Sequence, residues 1–213
     1  MHQVQAVVNI EKMLLPFIED YRAKLDFSTI NEERRKIVQA LVDYVQLKKD
    51  QKETINLNFV CTHNSRRSQF SQLWAKTAAF YYGIEMNSYS GGVEVTAFNE
   101  RAVASIKRTG FKVGIEEGDN PIYKVYFAEE KQPLEMFSKV VEDEKNKVAS
   151  FAAVMTCAHA DENCPFIPNA DARIPLRYED PKAFDDTSKE AEMYDLRSLQ
   201  IATELFYAFS KVK

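Results

Sequence analysis

Apolar residues recur at helical spacing early in the chain, at Leu14, Ile18, Tyr21 and Leu25 and again at Ile37, Leu41 and Tyr44. Residues 1 to about 50 therefore predict a helical hairpin. Between the two runs, Ser28-Thr29-Ile30-Asn31-Glu32 offers capping side chains, with a glutamate three residues after Thr29. The charged stretch from Lys48 to Glu53 closes this part. The expected organisation is a helical N-terminal extension over residues 1–52, appended to a main domain over residues 53–213.

The period then changes. Ile55 to Val60 alternates like a strand, ends in an apolar pair and runs straight into Cys61. From Arg67 the pattern is helical again, through Phe70, Leu73, Trp74, Thr77 and Phe80 to Gly83. Met86 to Ser90 reads as a short strand ended by Gly91-Gly92, and Asn99 to Arg108 as a helix stopped by Gly110. Phe151 to Met155 is a buried strand that ends at Thr156-Cys157, and Ser188 to Phe209 is the last helix. Strands alternating with helices imply an α/β domain on a parallel sheet. One segment breaks the alternation: Ile122–Phe127 and Leu134–Val140 predict a β-hairpin around the polar turn Glu129–Gln132, inserted over about residues 118–147. There are no internal repeats.

Composition narrows the class. Of the 213 residues, 45% are hydrophobic and 28% charged, which fits a globular chain with a real core. A net charge of -4 and the lack of a Lys/Arg run interleaved with aromatics argue against nucleic acid as a partner. No apolar run approaches the ~20 residues that cross a bilayer. The start of the chain lacks a basic region followed by an apolar stretch, so a cytoplasmic protein is expected. The three cysteines, Cys61, Cys157 and Cys164, are too few and odd in number for a structural disulfide framework. Each is either an inert core thiol or a reactive one, and its setting decides.

The strongest chemical signal is Cys61-x5-Arg67-Ser68 at a strand-to-helix junction. Successive N–H groups in the tight loop Thr62, His63, Asn64, Ser65, Arg66, Arg67, Ser68 form a nest for an anion, and the start of the following helix adds its positive end. Arg67 can grip two oxygens of a phosphate-like oxyanion at once. The same field favours the thiolate of Cys61, the nucleophilic form, and Ser68 is placed to hydrogen-bond that sulfur. Read blandly, Cys61 merely ends a buried strand; the strand before, the helix after and Asn64-Ser65 within favour chemistry.

Two weaker signals lie downstream. In Tyr178-Glu179-Asp180-Pro181 the proline holds Asp180 extended, and a loop carboxyl can protonate a leaving oxygen; a solvated turn is the plain alternative. In Thr156-Cys157-Ala-His159-Ala-Asp-Glu-Asn-Cys164-Pro165, the two thiols can pair if the segment between them rearranges. They can also be unrelated core thiols, or form a metal site with His159 and His63, although the spacing matches no standard zinc pattern.

Together these segments resemble the low-molecular-weight protein tyrosine phosphatase superfamily. Cys61 to Gln69 is similar to its anion loop, and the leading Cys-Thr and the Gln69 ending resemble its thioredoxin-coupled arsenate reductases. Tyr89-Ser-Gly-Gly92 looks like their Tyr-Ser-Ala-Gly segment, Cys157 and Cys164 fall where those reductases carry two redox cysteines, and Asp180 falls on the general acid. The resemblance spans about residues 55–112 and 150–210. It implies a three-layer α/β/α fold of the phosphotyrosine phosphatase I type; no cofactor and no metal site are expected. Three positions depart from the pattern: His63 stands for a glycine, Arg66 for a second loop cysteine, and Gln72 for the glutamate of the potassium-binding reductases.

The resemblance implies one of two enzymes. In a reductase, Cys61 attacks arsenate held by the loop and Arg67, Asp180 protonates the departing oxygen, and Cys157 and then Cys164 relay the oxidation to a thioredoxin-like reductant. In a phosphatase, Cys61 forms a thiophosphate and Asp180 serves as acid and then base. A third reading is a non-enzymatic oxyanion sensor that uses the extension or the hairpin as a partner surface.

Overall fold

β1 (Asn56–Cys61) is buried along its whole length, as expected of a central strand in a parallel sheet. In the computed structural model, which describes residues 14–129, 131–163 and 166–213, it pairs in parallel with β2 (Asn87–Gly92) on one side and β6 (Phe151–Met155) on the other. β7 (Ala170–Ile174) adds to β6, so the sheet runs β2-β1-β6-β7. Alternate side chains go to opposite faces. Leu57, Phe59, Ala152 and Val154 enter a large core, whereas Val60, Ala153 and Met155 enter a smaller one, which Cys61 joins at the strand end.

The large core lies under α3 (Arg67–Tyr81) and α6 (Glu190–Ser210), which are tied by the Trp74 indole N–H donating to Ser198 Oγ at 2.9 Å. α4 (Glu100–Thr109) packs beside α6 and stops at Gly110, whose φ of 113° requires glycine. On the opposite face, the short α5 (Ala158–Asn163) places Ala160 in the smaller core. The parallel sheet between helical layers is the fold expected from the alternation.

α1 (Pro16–Ala23) and α2 (Glu32–Asp50) feed the large core as well: Tyr21 stacks on Trp74, and Val38, Leu41, Val42 and Val45 are buried with it. The cap of α2 is Asn31, which accepts from Arg34 N at 2.8 Å, while the Thr29 hydroxyl instead donates to Asp26 O. Residues 1–13 of the expected first helix lie outside the described residues.

The expected hairpin is present but differs in extent. β4 (Ile122–Tyr126) pairs antiparallel with β5 (Leu134–Met136), and β3 (Lys112–Glu116) makes it a three-stranded sheet. β3 escaped the pattern because it is held by backbone pairing while Ile115 is more than half exposed. The second strand was expected to reach Val140 and stops at Met136. From there the chain turns to the end of β2, where Gly92 N donates to Lys139 O at 2.8 Å and Val141 N to Gly92 O at 3.1 Å. β7 was not predicted either: in this edge strand only Ile174 is buried, so it carries little hydrophobic signal. Glu130 of the predicted turn is outside the described residues. Among those described, no helix is long and apolar enough to cross a membrane.

Candidate active site

Cys61 closes β1 and Arg67 opens α3, so the chain turns through five residues at the end of the sheet. The turn is made at Asn64, with a left-handed φ of 45°, and not at His63, where the glycine of the resembled loop would have suggested it. Asparagine tolerates this region better than most residues. Asn64 is fully buried, and its amide orientation is set by its neighbours. Oδ1 accepts from Lys139 N at 3.0 Å, which leaves Nδ2 to donate to Ser68 Oγ at 2.9 Å. Ser68, having accepted there, keeps its own proton for Cys61 Sγ, 3.0 Å away. A thiolate at Cys61 thus has a donor aimed at it, as the sequence suggested for Ser68.

The outside of the loop is braced. Gln69 Nε2 donates to Asn64 O (2.9 Å) and Phe137 O (2.8 Å), Ser65 Oγ donates to Ala97 O (2.7 Å), and Ser138 Oγ donates to His63 O (2.8 Å). Gly92 backs it so closely that a Cβ there would lie 2.8 Å from both Asn64 N and Thr62 O. His63 Nε2 is 3.4 Å from Glu94, partly exposed.

Arg67 and Asp180 meet at the mouth. Arg67 Nη2 donates to Asp180 Oδ2 at 2.7 Å, and Nη1 to Tyr178 O at 3.0 Å. Its third donor, Nε, is buried with no hydrogen-bond partner among the described residues. A buried orphan N–H is costly unless something accepts from it, and an oxyanion would. Asp180 also caps the 3-10 turn Pro181–Phe184, accepting from Lys182 N at 3.1 Å. Arg66 is held elsewhere: Nε donates to Tyr194 Oη (2.7 Å) and Nη2 to Asp185 (3.2 Å), while Tyr194 also donates to Asp185. Its charge is therefore offset by Asp185. A cavity of about 470 Å³ opens beside the loop against His63, Ser65, Arg66, Phe98, Tyr123 and Lys182.

β1 and β6 bring two of the cysteines together. Val60 pairs with Met155, and both the N–H and the hydroxyl of Thr156 donate to Val60 O, so Cys157 lies one residue beyond the level of Cys61 on the neighbouring strand. Both are free, buried and part of the smaller core. The Thr62 hydroxyl is 3.5 Å from Cys157 Sγ and 3.2 Å from His159 Nδ1, and Ala160 N donates to the same sulfur at 3.3 Å. Cys164 lies outside the described residues. Among those described, no group of three or more His, Cys, Asp or Glu could hold a metal ion. Gln72, at the position of the resembled glutamate, accepts from Ser90 Oγ (2.6 Å) and donates to Ser88 O (3.1 Å).

The sequence reading missed the contribution of residues 137–139. Lys139 is almost fully buried, with Nζ 3.4 Å from Phe137 O and 4.5 Å from the centroid of that ring. Burial pushes its ammonium down to about 8, opposed by nearby Asp143. No local pattern marked this lysine, because the predicted strand also carries Glu135 and Ser138.

No family model matches the chain. Among curated proteins it is similar to bacterial arsenate reductases. That of Halalkalibacterium halodurans is 28% identical over 132 residues, 62% of this chain and 78% of the relative. Arsenate reductase 1 of Staphylococcus saprophyticus is 29% identical over 126 residues, covering 58% and 76%. Among solved structures, a low-molecular-weight phosphotyrosine phosphatase from Vibrio cholerae aligns with 73% of this chain and 94% of its own, at a TM-score of 0.48 and 13% identity. A thioredoxin-dependent arsenate reductase from Corynebacterium glutamicum covers 91% and 84%, at 0.41 and 14%. By sequence the chain is therefore similar to bacterial arsenate reductases, on a parallel sheet of order β2-β1-β6-β7.

Proposed function

We propose that the protein reduces arsenate with electrons from a thioredoxin-like partner. In this reading Cys61 attacks the arsenic of an arsenate held by the Thr62–Ser68 loop and Arg67, and Asp180 gives a proton to the oxygen that leaves. Cys157 then attacks Cys61, a disulfide forms between them, and arsenic departs as arsenite with the electron pair of the broken S–As bond. Cys164 attacks Cys157 in turn, and the reductant opens the Cys157–Cys164 bond. The observation that carries the proposal is the second thiol: Cys157 shares a buried cluster with Cys61 and is contacted by the residue that follows it. Hydrolysis has no use for that sulfur.

The test combines arsenate with thioredoxin, its reductase and NADPH, followed by mass spectrometry. Arsenite should form, with a Cys61–Cys157 or Cys157–Cys164 bond trapped in the quenched protein. Absence of arsenite together with full aryl-phosphate hydrolysis by a Cys157→Ser variant would sink the idea.

One observation favours the phosphatase reading instead. The 470 Å³ cavity beside the loop is far roomier than a tetrahedral oxyanion needs and could take the organic part of a phosphate monoester. Hydrolysis of aryl phosphate that depends on Cys61 and Asp180 but not on Cys157 would decide for it.

A further inference from the structure

Tyr178 joins the site to the N-terminal helices. Its main chain is part of the site: N–H donates to Thr156 O at 3.0 Å, next to Cys157, and C=O accepts from Arg67 Nη1 at 3.0 Å. Two residues later Asp180 meets the same guanidinium. The Tyr178 ring points the other way, is buried, and lies under the guanidinium of Arg34 from α2, whose Cζ is 4.8 Å from the ring centroid. Arg34 is in turn gripped by Glu204 of α6 through two bonds, Nε to Oε1 at 2.9 Å and Nη2 to Oε2 at 2.7 Å. Gln200 Nε2 adds a third donor to Glu204, at 3.1 Å.

Such a fork fixes the guanidinium in plane and direction, which a lysine cannot do. Glu204 is 3% exposed, and a buried ion pair generally adds little net stability over an apolar pair of the same volume. Its geometric effect is the more informative one. The planar cation closes one face of the Tyr178 ring, and the ring anchors the stretch from which both the Tyr178 carbonyl and the Asp180 carboxylate reach Arg67. The elements form an unbroken series of contacts from α2 and α6 to the mouth of the anion loop.

We propose that Arg34 is a positioning residue for oxyanion binding: through Tyr178 it sets the Arg67 guanidinium and the Asp180 loop, and this is what the N-terminal helices contribute to the site. The inference rests on the reading that Arg67 grips the oxyanion, but not on whether that oxyanion is reduced or hydrolysed.

The experiment measures inorganic phosphate binding to the full chain by calorimetry, alongside thermal unfolding, for the parent, Arg34→Met, Arg34→Lys and the double variant Arg34→Met/Glu204→Leu. Arg34→Met should weaken phosphate binding about tenfold, and Arg34→Lys should recover part of the loss. The double variant leaves no unpaired carboxylate in the core, so it should fold and still bind about tenfold more weakly. In turnover assays the KM for the oxyanion should rise more than kcat falls. Binding within twofold of the parent in the double variant would overturn the proposal. So would a loss in Arg34→Met that the double variant repairs, because the orphaned Glu204 would then be its cause. If Arg34→Met does not fold, the double variant decides alone. A parent that binds no phosphate would overturn the reading of Arg67 itself, a result distinct from equal binding by parent and variant.

Discussion

The hydroxyl of Thr62 stands 3.5 Å from the sulfur of Cys157, so the residue after one cysteine touches the other. The same hydroxyl is 3.2 Å from His159 Nδ1. Parallel strand pairing creates this contact, since Thr62 follows β1 and Cys157 follows β6. In the proposed reductase reading Cys157 attacks as a thiolate, and a hydrogen bond to a charged group contributes roughly 1.5–3 kcal/mol.

Thr62→Val keeps the shape and removes that bond. Formation of the Cys61–Cys157 disulfide in a single turnover with arsenate should slow about tenfold or more, by the same magnitude. Thr62→Ser should stay close to the parent. Quenched-flow mass spectrometry of the bond reads both, and equal rates for parent and Thr62→Val would remove Thr62 from the second step.

Gly92→Ala tests the close approach behind the anion loop. A Cβ at this position would fall 2.7 Å from Glu94 O, 2.8 Å from Asn64 N and 2.8 Å from Thr62 O, and all three are backbone atoms that cannot swing aside. The loop must shift, at a cost of about 1–3 kcal/mol typical of overpacking. Urea unfolding should show that loss, and phosphate affinity should drop at least tenfold because the nest of N–H groups is displaced. A variant of unchanged stability and affinity would show that the loop tolerates the move.

Arg67→Lys probes the orphaned Nε. Lysine keeps a positive charge but its donors share one nitrogen, so it cannot reproduce the planar fork that presents Nη1, Nη2 and Nε to three different places. Phosphate binding should weaken by about a hundredfold, from the loss of charge-assisted bonds worth roughly 1.5–3 kcal/mol each. Calorimetry checks it, and a loss under threefold would mean that Arg67 serves only the Tyr178–Asp180 loop.

Much of the parallel layer was legible because β1 alternates and ends in an apolar pair, β6 is apolar throughout, and the helices are long. β1, β6 and α3 show continuous or 3.6-periodic burial, and the motif Cys61-x5-Arg67 sits between two of them. Elements held chiefly by backbone pairing were not. β3 exposes Ile115, and β7 buries only Ile174, so neither left a hydrophobic trace. The candidate site was legible where chemistry is concentrated in one stretch, as in Cys61 to Ser68. It was not where contacts depend on distant chain returning to the loop. Lys139 N on Asn64 and Arg34 on Tyr178 are separated from their partners by 75 residues and well over a hundred, and no local pattern records them. The special backbone angle falls on Asn64, whose amide is bonded at both ends, and not on His63.

Lys139 makes stability depend on pH in a direction that can be worked out. Its ammonium is pushed down to about 8 by burial, from an ordinary value of 10.5 that the unfolded chain keeps. Between pH 8 and 10.5 the unfolded chain therefore holds a proton that the folded protein has released, and stability rises with pH across that window. Below about 8 the group is charged in both states, and the folded state bears the cost of desolvating it, with Phe137 O at 3.4 Å, the ring face and nearby Asp143 in return. The full effect is on the order of 3 kcal/mol, at 1.36 kcal/mol per pKa unit. Lys139→Met fills similar space without charge, so it should be more stable than the parent at pH 7 by about 1–3 kcal/mol, with the gap closing as pH approaches 10.5. Urea unfolding of both proteins at pH 7, 8.5 and 10 measures the difference directly, in which every other titrating group cancels. Parallel stability curves for parent and variant would show that the Lys139 ammonium is not desolvated in the folded state.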